Sequence, residues 1–358
     1  DSPVVIIDLD EASLKEVGQW PWPRNQIAQM VANLFRMGVS VVGFDIIFAE
    51  PDRMNSQSVV KSLVGLDQET KNKILKIPSN DAIFADLIKR AGKVVVGQSV
   101  LTDEETKVRK YEGRKRLKSR VMEKRANRNV RMPRDWVPGV PGLLRNIESI
   151  EIAAAGHGLL ALQPEVDGIV RRVPAFFKKS KKLYPAFSLE VMRVAFGKGG
   201  MIAKGTEAGI ADVNLQGRRR FLVPRAILQD KSIEKIPYDP MFNRLAYLEI
   251  AVGEGKQLIK RAAMQGNKYP LQKFTKGFDK TKFTVLNTPL IRVATDRQGR
   301  IWPYFSKRDT SKYVSAKDVL SAFDEKGKFS GTIDLKRIQG KLALLGTSAT
   351  GLLDIKTV

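Results

Sequence analysis

Apolar and polar positions alternate between two periods over the first hundred residues. Val4 to Ile7 is a continuous apolar, β-branched run, the pattern of a strand buried on both faces, and Glu11 to Val17 then takes helical spacing. Ile27, Met30, Val31 and Leu34 recur at i, i+3, i+4 and i+7, which predicts one face of a helix ending near Gly38. Val39 to Phe48 reads as a second buried strand, with Asp45 inside it and Glu50-Pro51-Asp52 closing it. Ile83, Phe84, Leu87, Ile88 and Ala91 predict a helix capped by Asp81 and stopped by Gly92, ahead of a third strand over Lys93 to Val100. This strand and helix alternation implies right-handed crossovers and a parallel sheet.

Beyond residue 100 the pattern is less regular. Residues 55 to 80 read as a polar loop with a short helix, and 104 to about 135 show little apolar periodicity. Gly156 to Leu162 and Ile169 to Phe177 predict a hairpin around Pro164-Glu165-Val166-Asp167-Gly168, whose Asp-Gly pair favours a tight reversal. Tyr184-Pro185 reads as the start of a helix with Ala186, Leu189, Met192 and Phe196 inward, ended by Gly197. From 198 to 285 only short candidates stand out, Arg219 to Val223 and Ala246 to Val252 among them. Ile291 to Ala294 and Ile301 to Phe305 predict a hairpin around Asp296-Arg297-Gln298-Gly299; Ser315 is placed to cap Ala316 to Phe323, and Lys341 to Gly346 is a last buried strand. The fold class is α/β: a mixed, mainly parallel sheet with flanking helices, elaborated by β-hairpins and basic insertions.

Composition changes this picture in three ways. The 358 residues suffice for one large α/β domain or two smaller ones; a single domain is expected, 1–358, carrying a basic insertion over 104–150 and a poorly parsed elaboration over 200–285. No apolar run approaches the roughly 18 to 20 residues that span a bilayer, and Leu342 to Leu353 is broken by Gly, Thr and Ser. With its first strand beginning at Val4, the chain reads as a piece of something longer. The absence of Cys excludes a thiol nucleophile, and a single His, His157, excludes a multi-histidine metal site. The net charge of +24 points towards an anionic partner, yet residues 104 to 134 alone hold thirteen Lys or Arg against four Glu. With Tyr111 as its one aromatic, that segment lacks the stacking series of a single-strand nucleic-acid site, so nucleic acid is not expected; an anionic envelope surface or lipid headgroups fit better, beside the simpler reading of a solvated basic loop.

The candidate chemistry lies at strand ends. Asp8 and Asp10 close the first strand, where open α/β sheets place their sites. A D-x-D pair there is similar to the first motif of haloacid-dehalogenase-type phosphatases, with Asp8 as nucleophile and Asp10 as acid/base, but Glu11-Ala12 replaces that motif's Gly-Thr continuation. Asp8, Asp10, Asp45 and Asp52 could alternatively gather round a hard cation, or be neutralised by Arg24 and backbone amides as a structural knot, the favoured of the two. Trp20-Pro21-Trp22-Pro23-Arg24 holds two aromatics rigidly beside a cation, either as a pocket wall or as a cap over the sheet edge. His157, between Gly156 and Gly158, is a switch candidate or a packing residue. No cofactor motif is present: the Gly-rich segment Gly346 to Gly351 lacks the Lys of a P-loop and dinucleotide spacing.

Several blocks together resemble the second class of CHASE domain, a sensory module associated with cyclases and histidine kinases. They are VVIIDLDEASL at Val4 to Leu14, GQWPWPR at Gly18 to Arg24, VVGFDIIFAEPD at Val41 to Asp52 and GHGLL at Gly156 to Leu160. DGIVRRVP at Asp167 to Pro174, YPAFSLE at Tyr184 to Glu190, SAKDVL at Ser315 to Leu320 and GKLALLGTSATGLLD at Gly340 to Asp354 complete the series. The resemblance implies a bacterial extracytoplasmic or periplasmic receptor domain rather than a catalyst. It further implies one membrane helix before the domain and several after it, a cytoplasmic output module and a homodimer. The ligand-contact candidates are then Asp8, Asp10, Trp20, Trp22, Arg24, Asp45, Asp52 and His157, and both chain ends, Asp1 and Val358, are expected to face the membrane.

Overall fold

The computed structural model of the chain describes residues 2–108, 121–197, 199–224, 283–303, 307 and 309–349. Two compact units are present, Asp1–Val213 with Val293–Val358, and Asn214–Arg292. The second takes in most of the elaboration expected over 200–285, and the Ala246 to Val252 candidate within it lies outside the described residues, as do 109–120 of the basic insertion.

In chain order the strands are β1 (Val4–Leu9), β2 (Val41–Phe44), β3 (Val94–Leu101), β4 (Val121–Arg125), β5 (Gly142–Leu144), β6 (Gly156–Leu159), β7 (Val173–Pro174) and β8 (Phe176–Lys179). They continue as β9 (Lys182–Pro185), β10 (Met201–Thr206), β11 (Gly209–Pro224), β12 (Phe283–Ala294), β13 (Arg300–Ile301), β14 (Tyr313–Ser315) and β15 (Leu342–Thr347). The helices are α1 (Glu11–Val17), α2 (Arg24–Arg36), α3 (Ser56–Ser62), α4 (Gln68–Leu75), α5 (Asn80–Ala91), α6 (Asp103–Val108), α7 (Glu148–Ala153), α8 (Phe187–Ala195) and α9 (Ala316–Leu320).

The central sheet runs β14-β1-β15-β2-β3, with β6 beyond β3, and every one of these neighbours is parallel. β5 adds an antiparallel extension at the carboxyl end of β3, so part of the expected basic insertion belongs to the sheet. Side-chain alternation with period two sorts the strands onto two cores. Val42, Phe44, Val94, Val96, Ala343 and Leu345 face the large core with Ile27, Met30, Val31 and Leu34 of α2 and Phe84 and Ile88 of α5. Val41 and Val95 face the other way, onto Val191 and Val194 of α8. The result is a three-layer α/β unit. β1 is covered on one face by Val5, Ile7 and Leu9, whereas Val4 and Ile6 stay half-buried, so its apolar run serves one and a half faces rather than two.

The Gly-His-Gly motif follows from this alternation. Gly156 and Gly158 point to the α8 side, where a Cβ on Gly158 would collide with the Phe187 backbone and one on Gly156 with the Glu190 carboxylate. α8 therefore lies close on β6, and its Glu190 and Arg193 form a buried fork, Nε to Oε2 at 2.8 Å and Nη2 to Oε1 at 2.7 Å.

Several expectations are corrected. The second strand stops at Phe44: the Asp45 amide makes the last contact to Leu345 O, at 3.1 Å, and the chain then bends so that Phe48 enters the core, leaving Asp45 exposed beyond the strand. Residues 55 to 80 hold two helices, α3 and α4, without a buried residue in either. Ser79 rather than Asp81 is the N-cap of α5, and Ile83 is exposed, off the inward face. The Asp167-Gly168 reversal is present, but Gly156 to Leu159 pairs with β3 and not with Ile169 to Phe177. The hairpin is instead β8 with β9, turning at Ser180 with φ 53°, so Tyr184-Pro185 ends a strand and the helix begins at Phe187. Its buried face is Leu189, Glu190, Val191, Arg193 and Val194, with Met192 and Phe196 half-buried. The turn at Asp296 to Gly299 also forms, yet β13 pairs with β7, not with β12. α9 stops at Leu320, short of Phe323.

Gly158→Ala is expected to destabilise the protein by about 1–3 kcal/mol, because a backbone atom opposes the new methyl group. Gly346→Ala on β15, where nothing lies within 4 Å of the added carbon, should stay within about 0.5 kcal/mol of the parent. Urea unfolding midpoints compare the two.

Candidate functional site

The acids predicted at strand ends do sit at the carboxyl edge of the sheet, and the Asp8, Asp10 and Asp52 carboxylates are committed to hydrogen bonds within the chain. Asp8, buried at the end of β1, accepts the Ser348 N–H at Oδ1 (2.9 Å) and the Ser348 hydroxyl at Oδ2 (2.6 Å). Thr347 Oγ1 donates to Leu9 O at 3.1 Å, so the exit of β15 is stapled twice to β1. Asp10 works on the opposite flank. Its Oδ1 caps α1 through the Ser13 N–H (2.8 Å) and hydroxyl (2.6 Å) and also takes the Ser315 hydroxyl (3.0 Å), while Ser13 Oγ accepts the Lys317 amide at 3.1 Å. Ser315, expected to cap α9, thus spends its hydroxyl on Asp10 and Ser13 and makes no cap bond to α9. Together the two carboxylates tie β1 to the neighbours on both its sides.

Burial alone would raise the Asp10 carboxyl, but the side-chain and backbone hydrogen bonds of Ser13 and the Ser315 hydroxyl outweigh it and hold Asp10 below the ordinary carboxylate value.

The Trp-Pro-Trp-Pro-Arg block builds a second knot. Trp22 is buried, donates Nε1–H to Gly18 O at 2.7 Å, and meets the half-buried Trp20 edge to face at 5.7 Å. Pro23 begins α2 without a capping side chain, and Asp52 supplies the acceptor from another segment: its Oδ2 takes the Arg24 N–H at 2.6 Å and its Oδ1 the Met54 N–H at 2.8 Å. The Arg24 guanidinium is buried, 3.7 Å from Asp81 Oδ1 and 4.6 Å above the Phe48 ring, which packs edge-on with Phe44 and Phe84. Burial pulls its pKa down against the attraction of Asp81 and Asp52, and as a guanidinium it stays charged. Asp81 Oδ2 also accepts from the Asp52 amide (3.0 Å) and from Asn55 (2.6 Å).

His157 faces away from α8. Its Nε2 donates to Glu151 O at 2.7 Å, which specifies the tautomer protonated there, and Glu151 in turn accepts from Gln98 and Asn146. Asn146 extends the network to Gly97 O and the Phe48 amide.

The predicted eight therefore divide into Asp8 and Asp10 on β1, the Trp20, Trp22, Arg24 and Asp52 knot, exposed Asp45 past β2, and His157 on β6. A shallow depression of about 340 Å³ between α1, α2 and α9, bordered by Glu16, Gln26, Gln29, Lys317 and Ser321, includes none of them. No local pattern marks Ser348, Ser315 or Glu151 as partners of these residues; for Asp81 the one local signal is an acid inside the first turn of α5. Among the described residues no three His, Cys, Asp or Glu are grouped to hold a metal ion, and no helix there is long and apolar enough to cross a membrane.

The fold is a three-layer α/β unit whose strand-end carboxylates Asp8, Asp10 and Asp52 bond to their own chain. The CHASE2 domain family model matches residues 1–358, the whole chain, so the protein belongs to the CHASE2 family, a family of extracellular sensor domains of signalling receptors. Neither curated proteins nor solved structures yield a match.

Arg24→Ala should cost about 3–5 kcal/mol, since it leaves Asp81 buried without its cation although the residue-24 amide still serves Asp52; a loss below about 1 kcal/mol in urea unfolding would contradict this role. Asp10→Asn keeps an acceptor for α1 but removes a titration. The wild-type contribution is complete above the unfolded value near 3.8 and is lost as pH falls through the lower folded value, so the acid limb of the stability profile should be shallower in the variant.

Proposed function

We propose that this chain is the periplasmic, extracytoplasmic sensor domain of a bacterial transmembrane receptor whose cytoplasmic output is an adenylate or diguanylate cyclase or a histidine kinase. The observation that carries the reading is the family match over the entire chain. Binding of a ligand or periplasmic partner favours one of two arrangements of the domain, and the differential affinity biases the membrane helices attached to it. In the receptor two copies act as a homodimer.

The Asp8–Ser348 staple supports a route for that bias. It fastens the core strand β1 to Ser348, the residue after the end of β15, so a change in β1 or α1 is felt where the polypeptide leaves β15. Val4 and Leu342 are register partners in parallel strands, so the chain enters β1 at the amino edge of the sheet and leaves β15 at the carboxyl edge. Asp1 and Val358, expected on one side, lie outside the described residues. Of the predicted contacts, exposed Asp45 and half-buried Asp10 and Trp20 keep surface for a ligand, whereas Asp8, Trp22, Arg24, Asp52 and His157 are buried. The phosphatase alternative is less well supported, because both oxygens of Asp8 accept from Ser348.

Two measurements on the complete receptor test the reading. An alkaline phosphatase fused within this domain should be active, as it is only outside the cytoplasm, and Asp8→Ala should change output activity without abolishing membrane insertion. An inactive fusion, or Mg²⁺-dependent phosphate release from generic phosphoesters that Asp8→Asn abolishes, would overturn it.

A further inference from the structure

The β8–β9 hairpin sets like charges side by side. The register of its two strands places Phe177 opposite Tyr184 and Lys179 opposite Lys182. Directly opposite residues share a face of an antiparallel ladder with Cβ atoms about 4.5–5.5 Å apart, and a like-charged pair in that position is destabilising. Side chains two residues apart along a strand also share a face, so both lysines project from the face on which Phe177 and Tyr184 join a small core with Leu143 and Leu159. Arg145 follows Leu143 by two residues, just past β5, and lies within electrostatic reach of Lys179. Burial first, and then the Arg145 guanidinium, hold the Lys179 ammonium below its ordinary value. Three cations thus gather at the rim of one apolar cluster.

Acids do not balance them. The chain carries no Asp or Glu from Trp136 to Ile147 or from Gly168 to Leu189, and these two stretches lie together: Lys178 N–H donates to Pro138 O and Val140 N–H to Lys178 O, both at 2.8 Å. Of the acids flanking them, Asp167 pairs with Arg171 at 2.7 Å and Glu190 with Arg193, while Asp135 and Glu148 are exposed. Glu123 of β4, which packs against β9, is held by the Arg134 guanidinium at 3.0 Å and amide at 2.9 Å. Arg134 in turn donates from Nη1 to Lys181 O at 2.9 Å and braces the turn that Ser180 makes with φ 53°. Neither Lys179 nor Lys182 makes an ion pair among the described residues. The hairpin is therefore held in a conformation that keeps two ammonium groups together at a cost, and an anion placed between them removes that cost. A guanidinium fork beside two point charges suits a tetrahedral oxyanion: the arginine takes two oxygens of a phosphate side by side and each lysine approaches a further one. A carboxylate, with two oxygens, leaves the lysines unserved.

We propose that Arg145, Lys179 and Lys182 form a binding site for a phosphate group, carried by a soluble phosphate compound or by a phospholipid headgroup. The site uses none of the strand-end acids, and binding to the chain is measured without reference to location or output, so it can stand or fail apart from the receptor reading. Two arms separate the sources. Isothermal titration of the full chain with inorganic phosphate reads the soluble one, and flotation with phosphatidylglycerol against phosphatidylcholine vesicles reads the headgroup; saturable binding in either arm is the expected result. Lys179→Gln with Lys182→Gln, and Arg145→Gln alone, should each weaken that binding at least about tenfold. Lys76→Gln with Lys89→Gln removes the same charge as the first pair from exposed positions after α4 and on α5 and should leave binding within about twofold. In phosphate-free buffer the Lys179→Gln/Lys182→Gln chain should unfold at no lower urea concentration than the parent, because the repulsion is gone, and phosphate should raise the midpoint of the parent alone. No binding in either arm, binding that survives Lys179→Gln/Lys182→Gln, an equal loss in Lys76→Gln/Lys89→Gln, or a Lys179→Gln/Lys182→Gln chain less stable than the parent without phosphate would overturn the assignment.

Discussion

The ladder formed by β15 is the interaction on which the rest of this molecule depends. β15 comes from the far end of the chain yet lies between β1 and β2, matching six residues of one and four of the other. Buried backbone donors and acceptors have to be paired, and in the centre of a parallel sheet only a neighbouring strand can do so. Without Leu342 to Thr347, the inner edges of β1 and β2 would both be open, and Ala343 and Leu345 would be missing from the core that seats α2 and α5. The amino-terminal crossovers are consequently incomplete until the carboxyl-terminal segment arrives.

The side-chain chemistry at the carboxyl edge reinforces that closure. Asp8 secures the residues just after β15, and Asp10 secures β14 and the start of α9, so β1 is clasped on both flanks by carboxylates it carries itself. A few residues away, Asp52 and Asp81 hold the beginning of α2 through the Arg24 amide and guanidinium. In a catalytic α/β protein, acids at this edge would present oxygens to a substrate. Here they are spent on the chain, and the Asp8–Ser348 pair lies next to the polypeptide leading out of β15.

Much of the first hundred residues was legible because the relevant interactions are local. The apolar spacing of α2, the β-branched runs of β1 and β3, and the left-handed Gly92 after α5 are written within a few residues of where they act. Legibility faded where a neighbour decides. Gly156 to Leu159 looked like half of a hairpin with Ile169 to Phe177, but parallel pairing with β3 buried all four of its residues. Tyr184-Pro185 looked like a helix start until β8 claimed it as a partner. For the site, the positions of Asp8 and Asp10 at a strand end followed from the pattern, whereas their partners Ser348 and Ser315 stand 340 and 305 residues away.

By itself, then, the sequence determined most of the periodic elements of the first hundred residues, the Gly92 stop of α5, the α/β class and the block order that marks the family, all of which rest on short-range sterics and on side-chain spacing. Tertiary structure alone decided which strands became neighbours, turned the strand-end acids from possible reagents into clasps, and set Lys179 opposite Lys182. Those outcomes depend on which distant segments share a surface after the chain closes, and spacing along a chain holds no record of that.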